Sequence, residues 1–86
     1  DKLIFLYLSN NFIKTLNSEI ISNLKLLRIF ECNFNYLEKI EDSLFNDMKS
    51  LREISLTGNE IYYLDKEATK NLTSLETFKL DKNKFG

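Results

Sequence analysis

The chain has 86 residues, 43% of them hydrophobic, with 12 basic against 13 acidic side chains and a formal net charge of -1. That balance gives no electrostatic basis for binding nucleic acid or a membrane surface, and no apolar run is long enough to span a bilayer. A lone cysteine, Cys32, excludes an intrachain disulfide, and the lack of histidine, of a glycine-rich phosphate loop and of convergent carboxylates argues against catalysis, a cofactor or a metal.

The first predicted element is a short strand at Leu6-Tyr7-Leu8, where apolar residues flank a variable one. This alternation belongs to a strand with one buried face. Asn11 follows, and then the segment Asn17–Leu24 places Ile20, Ile21 and Leu24 at helical spacing. Such a short segment predicts a single helical turn or an irregular arch. The same order then recurs. A strand at Phe30-Glu31-Cys32 and Asn35 precede an arch at Glu41–Met48, with Leu44, Phe45 and Met48 inward. A strand at Ile54-Ser55-Leu56 and Asn59 precede an arch at Asp65–Leu72, with Ala68 and Leu72 inward. The last strand is Phe78-Lys79-Leu80, followed by Asn83. Asp42, Ser43 and Asp65 are expected to cap their turns. Thr69 stands where the earlier arches carry Ile21 and Phe45, so the core is expected to thin there.

Equivalent positions recur every 24 residues: Leu3, Leu27, Leu51 and Leu75; Leu6, Phe30, Ile54 and Phe78; Asn11, Asn35, Asn59 and Asn83. A fixed period of this size signals stacked repeats, each unable to bury its apolar face alone. Each unit reads approximately L-x-x-L-x-L-x-x-N-x-L, which resembles the leucine-rich repeat family over the whole chain. The resemblance implies an α/β solenoid: a parallel sheet on the concave side of a horseshoe arc, with short helical or irregular arches outside. Strands lie about 4.8 Å apart while a helical turn is about 10 Å across, so the stack must curve with the strands inward. Residues 1–86 then form one module of repeats 3–26, 27–50, 51–74 and a partial 75–86, expected to be a fragment of a longer array.

The repeated asparagine has a physical role. As the chain bends out of the sheet its backbone groups leave the strand ladder, and a buried unpaired amide costs on the order of 1–3 kcal/mol. An asparagine side chain supplies donors and an acceptor to the turning backbone. Asn11, Asn35, Asn59 and Asn83 are therefore expected to form an internal structural ladder. Cys32 occupies the column of Leu8, Leu56 and Leu80 and reads as a small core residue. Asn71-Leu72-Thr73 is an N-glycosylation sequon on the outer arch, although the repeat itself favours a polar residue followed by Leu72 there.

Side chains flanking the core positions face the concave surface. Column neighbours are Phe5, Ile29, Glu53, Thr77, then Tyr7, Glu31, Ser55, Lys79, then Ser9, Asn33, Thr57, Asp81, then Asn10, Phe34, Gly58, Lys82. Phe5, Tyr7, Ile29 and Phe34 make an apolar patch on the first two repeats, with Glu31 among them and Phe12 and Tyr36 extending it. A partner contact, packing against a further repeat, and an incidental surface are the three readings of this patch. Arg28 and Arg52 are adjacent beside it, and Glu76 or Glu53 could pair with Arg52. The first reading is a solvated surface cluster worth under about 1 kcal/mol per pair, and the second is a contact to an acidic group on a ligand. The expected ligand-binding set is Phe5, Tyr7, Arg28, Ile29, Glu31, Phe34 and Arg52.

The repeat length, with Leu16, Ile40 and Leu64 after each asparagine turn, looks like the typical class of animal extracellular proteins. These include Toll-like receptor ectodomains, Slit-like proteins and matrix proteoglycans. The plant class carries Gly-x-Ile-Pro after the asparagine, whereas this chain has no proline. The resemblance implies a non-catalytic recognition module of a secreted or cell-surface protein, binding a protein or a glycan on its concave face. The alternative is an intracellular, cytoplasmic scaffold or regulatory subunit using the same surface.

Overall fold

A computed structural model describes residues 2–85; Asp1 and Gly86, the ends of the expected module, lie outside the described residues. Four short parallel strands form the main sheet: β1 (Phe5–Tyr7), β2 (Ile29–Glu31), β4 (Glu53–Ser55) and β6 (Thr77–Lys79). Their order in space is their order in sequence, and every Cα partner is one period away: Phe5↔Ile29↔Glu53↔Thr77 and Leu6↔Phe30↔Ile54↔Phe78. Each strand begins one residue before the expected apolar triplet. The sheet bonding nevertheless continues beyond its far end, where Leu8, Cys32 and Leu56 donate to the carbonyls of Glu31, Ser55 and Lys79.

The core lies directly behind this sheet. Phe30, Cys32, Ile54 and Leu56 are fully buried, as are Leu37, Ile40 and Ile61 on the ascending limb and Phe45 and Met48 beneath the second arch. Phe30 and Phe45 meet edge to face at 5.9 Å, tying sheet to arch. A second, two-stranded parallel sheet pairs β3 (Lys39–Ile40) with β5 (Tyr63–Leu64), an element the apolar pattern did not disclose.

The arches differ among themselves. Only the first closes as an α-helix, α1 (Ser18–Ile21), capped by the Asn17 side chain, which accepts from Glu19 N and Ile20 N. The other two are turns in which Leu44 and Met48 donate to Glu41 and Phe45, and Ala68 and Leu72 donate to Asp65 and Thr69. Among the expected caps, the Asp65 carboxylate accepts from Glu67 N at 2.8 Å. Asp42 and Ser43 make no side-chain capping bond among the described residues, so the second arch lacks the cap that Asn17 gives the first. At the third arch Ala68 is buried and Thr69 half-buried, so the smaller side chain takes the inward place.

Candidate functional site on the strand face

The turn after each strand is built by the asparagine column. Asn35 Oδ1 accepts from Asn11 N and Ile13 N, both at 3.1 Å, while its Nδ2 donates to Leu8 O at 3.0 Å. Asn59 repeats the arrangement one strand on, accepting from Leu37 N at 3.1 Å and donating to Cys32 O and Leu56 O at 3.0 Å. Asn83 accepts from Ile61 N and donates to Leu56 O, both at 2.9 Å. Each side chain thus bonds its own turn and the preceding repeat. Asn11 donates within its own turn, to Leu8 O at 2.9 Å. Asn35 and Asn59 are buried, and no buried side-chain nitrogen or oxygen among the described residues lacks a partner. Cys32 lies against this column: burial pushes its thiol up to about 11, against a smaller lowering by the Asn35 amide at 3.3 Å. It is a thiol, not a thiolate, at neutral pH.

A second polar column runs beside the first. Asn33 N donates to Ser9 Oγ at 2.9 Å, Asn33 Oδ1 accepts from Ser55 Oγ and Thr57 N at 2.8 Å, and Thr57 Oγ1 donates to Asp81 at 2.8 Å. Ser55, expected on the open concave surface, is therefore buried: its short side chain lies between Glu31 and Lys79 and turns its hydroxyl to Asn33. The signal for this column was present in the sequence as short polar residues recurring at one period.

The turn itself demands left-handed backbone. Asn10, Phe34, Gly58 and Lys82, one column, have φ of 62, 54, 73 and 58°. Asparagine and glycine tolerate this region; a bulky side chain there is rare. Phe34 nevertheless occupies it, and its ring lies over Gly58, where a Cβ would collide with it.

The expected binding residues separate into two groups. Phe5 and Tyr7 are exposed, at 50% and 58%, and their rings stack at 6.4 Å. Ile29 and Glu31, both half-buried, are their partners across the sheet. Phe5, Ile29, Arg28 and Arg52 together line a groove of about 300 Å3, completed by Glu53, Glu76 and Thr77. Phe34 stands apart on the turn, and Phe12 and Tyr36 form their own exposed stack at 6.2 Å. Arg52 makes no ion pair with Glu76 or Glu53 among the described residues; Glu53 instead faces Lys79 at 3.9 Å. Asn71 is exposed on the third arch, as is Thr73. No helix among the described residues is long and apolar enough to cross a membrane.

Comparison with known proteins adds two findings. A family model described as "Leucine rich repeat" matches residues 29–85. Chaoptin of Drosophila melanogaster is 40% identical over 63 residues, a stretch covering 71% of this chain and only 5% of chaoptin's length.

Proposed function

We propose that this chain, which belongs to the leucine-rich repeat family, is a non-catalytic recognition module that binds a protein ligand on its concave sheet. Modules of this family generally bind proteins. The observation that carries the reading is the pair Phe5 and Tyr7, aromatic and open to solvent, with the half-buried Ile29 beside Phe5 on the adjacent strand and Phe34 exposed separately on the turn. Aromatic side chains exposed on a preformed sheet supply contact area with little ordering on binding. Glu31, Arg28 and Arg52 give that pair a polar rim.

The module belongs, on this reading, to a secreted or cell-surface protein with an N-glycan at Asn71. The exposed position of the sequon on the outer arch supports it, because a glycan there leaves the strand face clear. The test has two parts. Tyr7→Ser, Ile29→Ser and Phe34→Ser together should abolish binding to partners found by screening recombinant extracellular proteins, with the circular dichroism spectrum unchanged. Retained binding sinks the strand-face reading. Separately, the intact mass of the natural protein should fall on enzymatic removal of N-glycans; an unchanged mass would favour the intracellular scaffold.

A further inference from the structure

The groove at the start of the strands carries an ordered set of chemistries across the sheet. Phe5 and Ile29 are apolar at one end, Arg28 and Arg52 follow, and Glu53 and Glu76 close the other end. Both arginines are exposed, and they are column neighbours because Arg52 N donates to Arg28 O at 2.8 Å. Neither makes an ion pair with a described residue. Two guanidinium groups on adjacent strands repel each other, and a carboxylate placed between them relieves the repulsion while accepting from both forks.

We infer that this groove recognises an acidic side chain of the partner protein, presented beside an apolar one on an extended segment that runs across the strands. The inference rests on the strand-face reading and names the chemistry of its ligand. The apolar residue packs on Phe5 and Ile29, and the carboxylate lies between Arg28 and Arg52. A segment crossing four strands covers about 14 Å, which about five extended residues span. A polysulfated glycan fits less well, because Glu53 and Glu76 in the same groove would repel its flanking charges, and the chain as a whole carries a net charge of -1. A single peptide carboxylate brings one charge near Glu53 and Glu76 where a polysulfated chain brings several, so it meets less of that repulsion.

A displayed library of random seven-residue peptides, selected on the full natural protein carrying these residues, tests this. Selection runs in parallel on the Arg28→Gln/Arg52→Gln variant and on the Tyr7→Ser/Phe34→Ser variant. The expected result is enrichment of peptides with Asp or Glu within two residues of an apolar side chain. Their binding should weaken at least about tenfold in the arginine variant, as for loss of charge-assisted hydrogen bonds. No peptide enriched over the arginine variant overturns the inference. Peptides that lack an acidic residue, survive the arginine changes and are lost with Tyr7 and Phe34 overturn it too, while leaving the strand-face reading intact. Peptides indifferent to both variants overturn both. Heparin bound through Arg28 and Arg52 in preference to every selected peptide would replace the peptide by a sulfated glycan.

Discussion

Replacing one internal asparagine removes a single side chain and strands several backbone groups. Asn59→Ala leaves Leu37 N–H and Cys32 C=O without this partner in a buried turn. At about 1–3 kcal/mol for each unsatisfied buried group, the loss should reach about 2–4 kcal/mol. Asn11→Ala, at an exposed turn, should cost less than about 1 kcal/mol. Urea titrations giving equal losses would refute the difference in burial as the cause. Cys32 yields a second expectation. Its thiol ionises near 9.0 in an unfolded chain and about 11 in the fold, so the neutral form is favoured on folding. The associated stability is present in full below pH 9 and is lost as pH rises toward 11, by up to about 3 kcal/mol. Alkylation at pH 8 should be slow until denaturant is added, and Cys32→Ala should flatten the alkaline loss. Fast alkylation of the native chain would contradict the burial.

At the scale of the element, the turn after each strand can be tested through Gly58 and Phe34. Gly58→Ala forces a Cβ into left-handed backbone and against the Phe34 ring, and should cost about 1–2 kcal/mol. With Phe34→Ala already made, only the backbone part remains, so the two changes should couple by about 0.5–1 kcal/mol. Strict additivity would mean that the ring swings clear at no cost. This turn also marks how far the sequence could be read. The register was legible, because a period of 24 residues is also the separation of every sheet partner. The strand onset was off by one residue, since alternation marks buried positions while pairing begins before them. The arches were legible as crossovers but not as helix or turn: apolar residues at similar spacing occur in both, although Ile20 of the helical one points to solvent, and the Asn17 cap distinguishes that arch. Lys39-Ile40 and Tyr63-Leu64 are too short to show a strand period. The placement of Phe5, Arg28, Ile29 and Arg52 along one groove was legible as columns of neighbours, whereas the separation of Phe34 from them was not. The burial of Ser55 was hidden, because it depends on its hydroxyl donating to Asn33 in the preceding repeat.

At the scale of the molecule, stability in a stacked array is a sum of unit and nearest-neighbour terms, so each end is the weakest place. The described residues show the gradient. Phe30, Cys32, Ile54 and Leu56 are fully buried, while their column mates Leu6, Leu8, Phe78 and Leu80 are half-buried, and Leu3 and Phe85 are 41% and 47% exposed. The isolated 86 residues thus present apolar surface at both ends of a small core. A core of this size supplies only a few kcal/mol of net stability. The chain alone should therefore melt broadly or associate, with a midpoint that rises with concentration as end faces cover one another. Sedimentation velocity and thermal melts over a hundredfold dilution check this. Covering the two ends with capping repeats should sharpen the melt and remove its concentration dependence, because each cap adds the missing neighbour term without changing the interior. A sharp, concentration-independent transition of the uncapped chain above about 60 °C, at or above the usual mesophile range, would show instead that Phe30, Phe45 and the asparagine column suffice without neighbours.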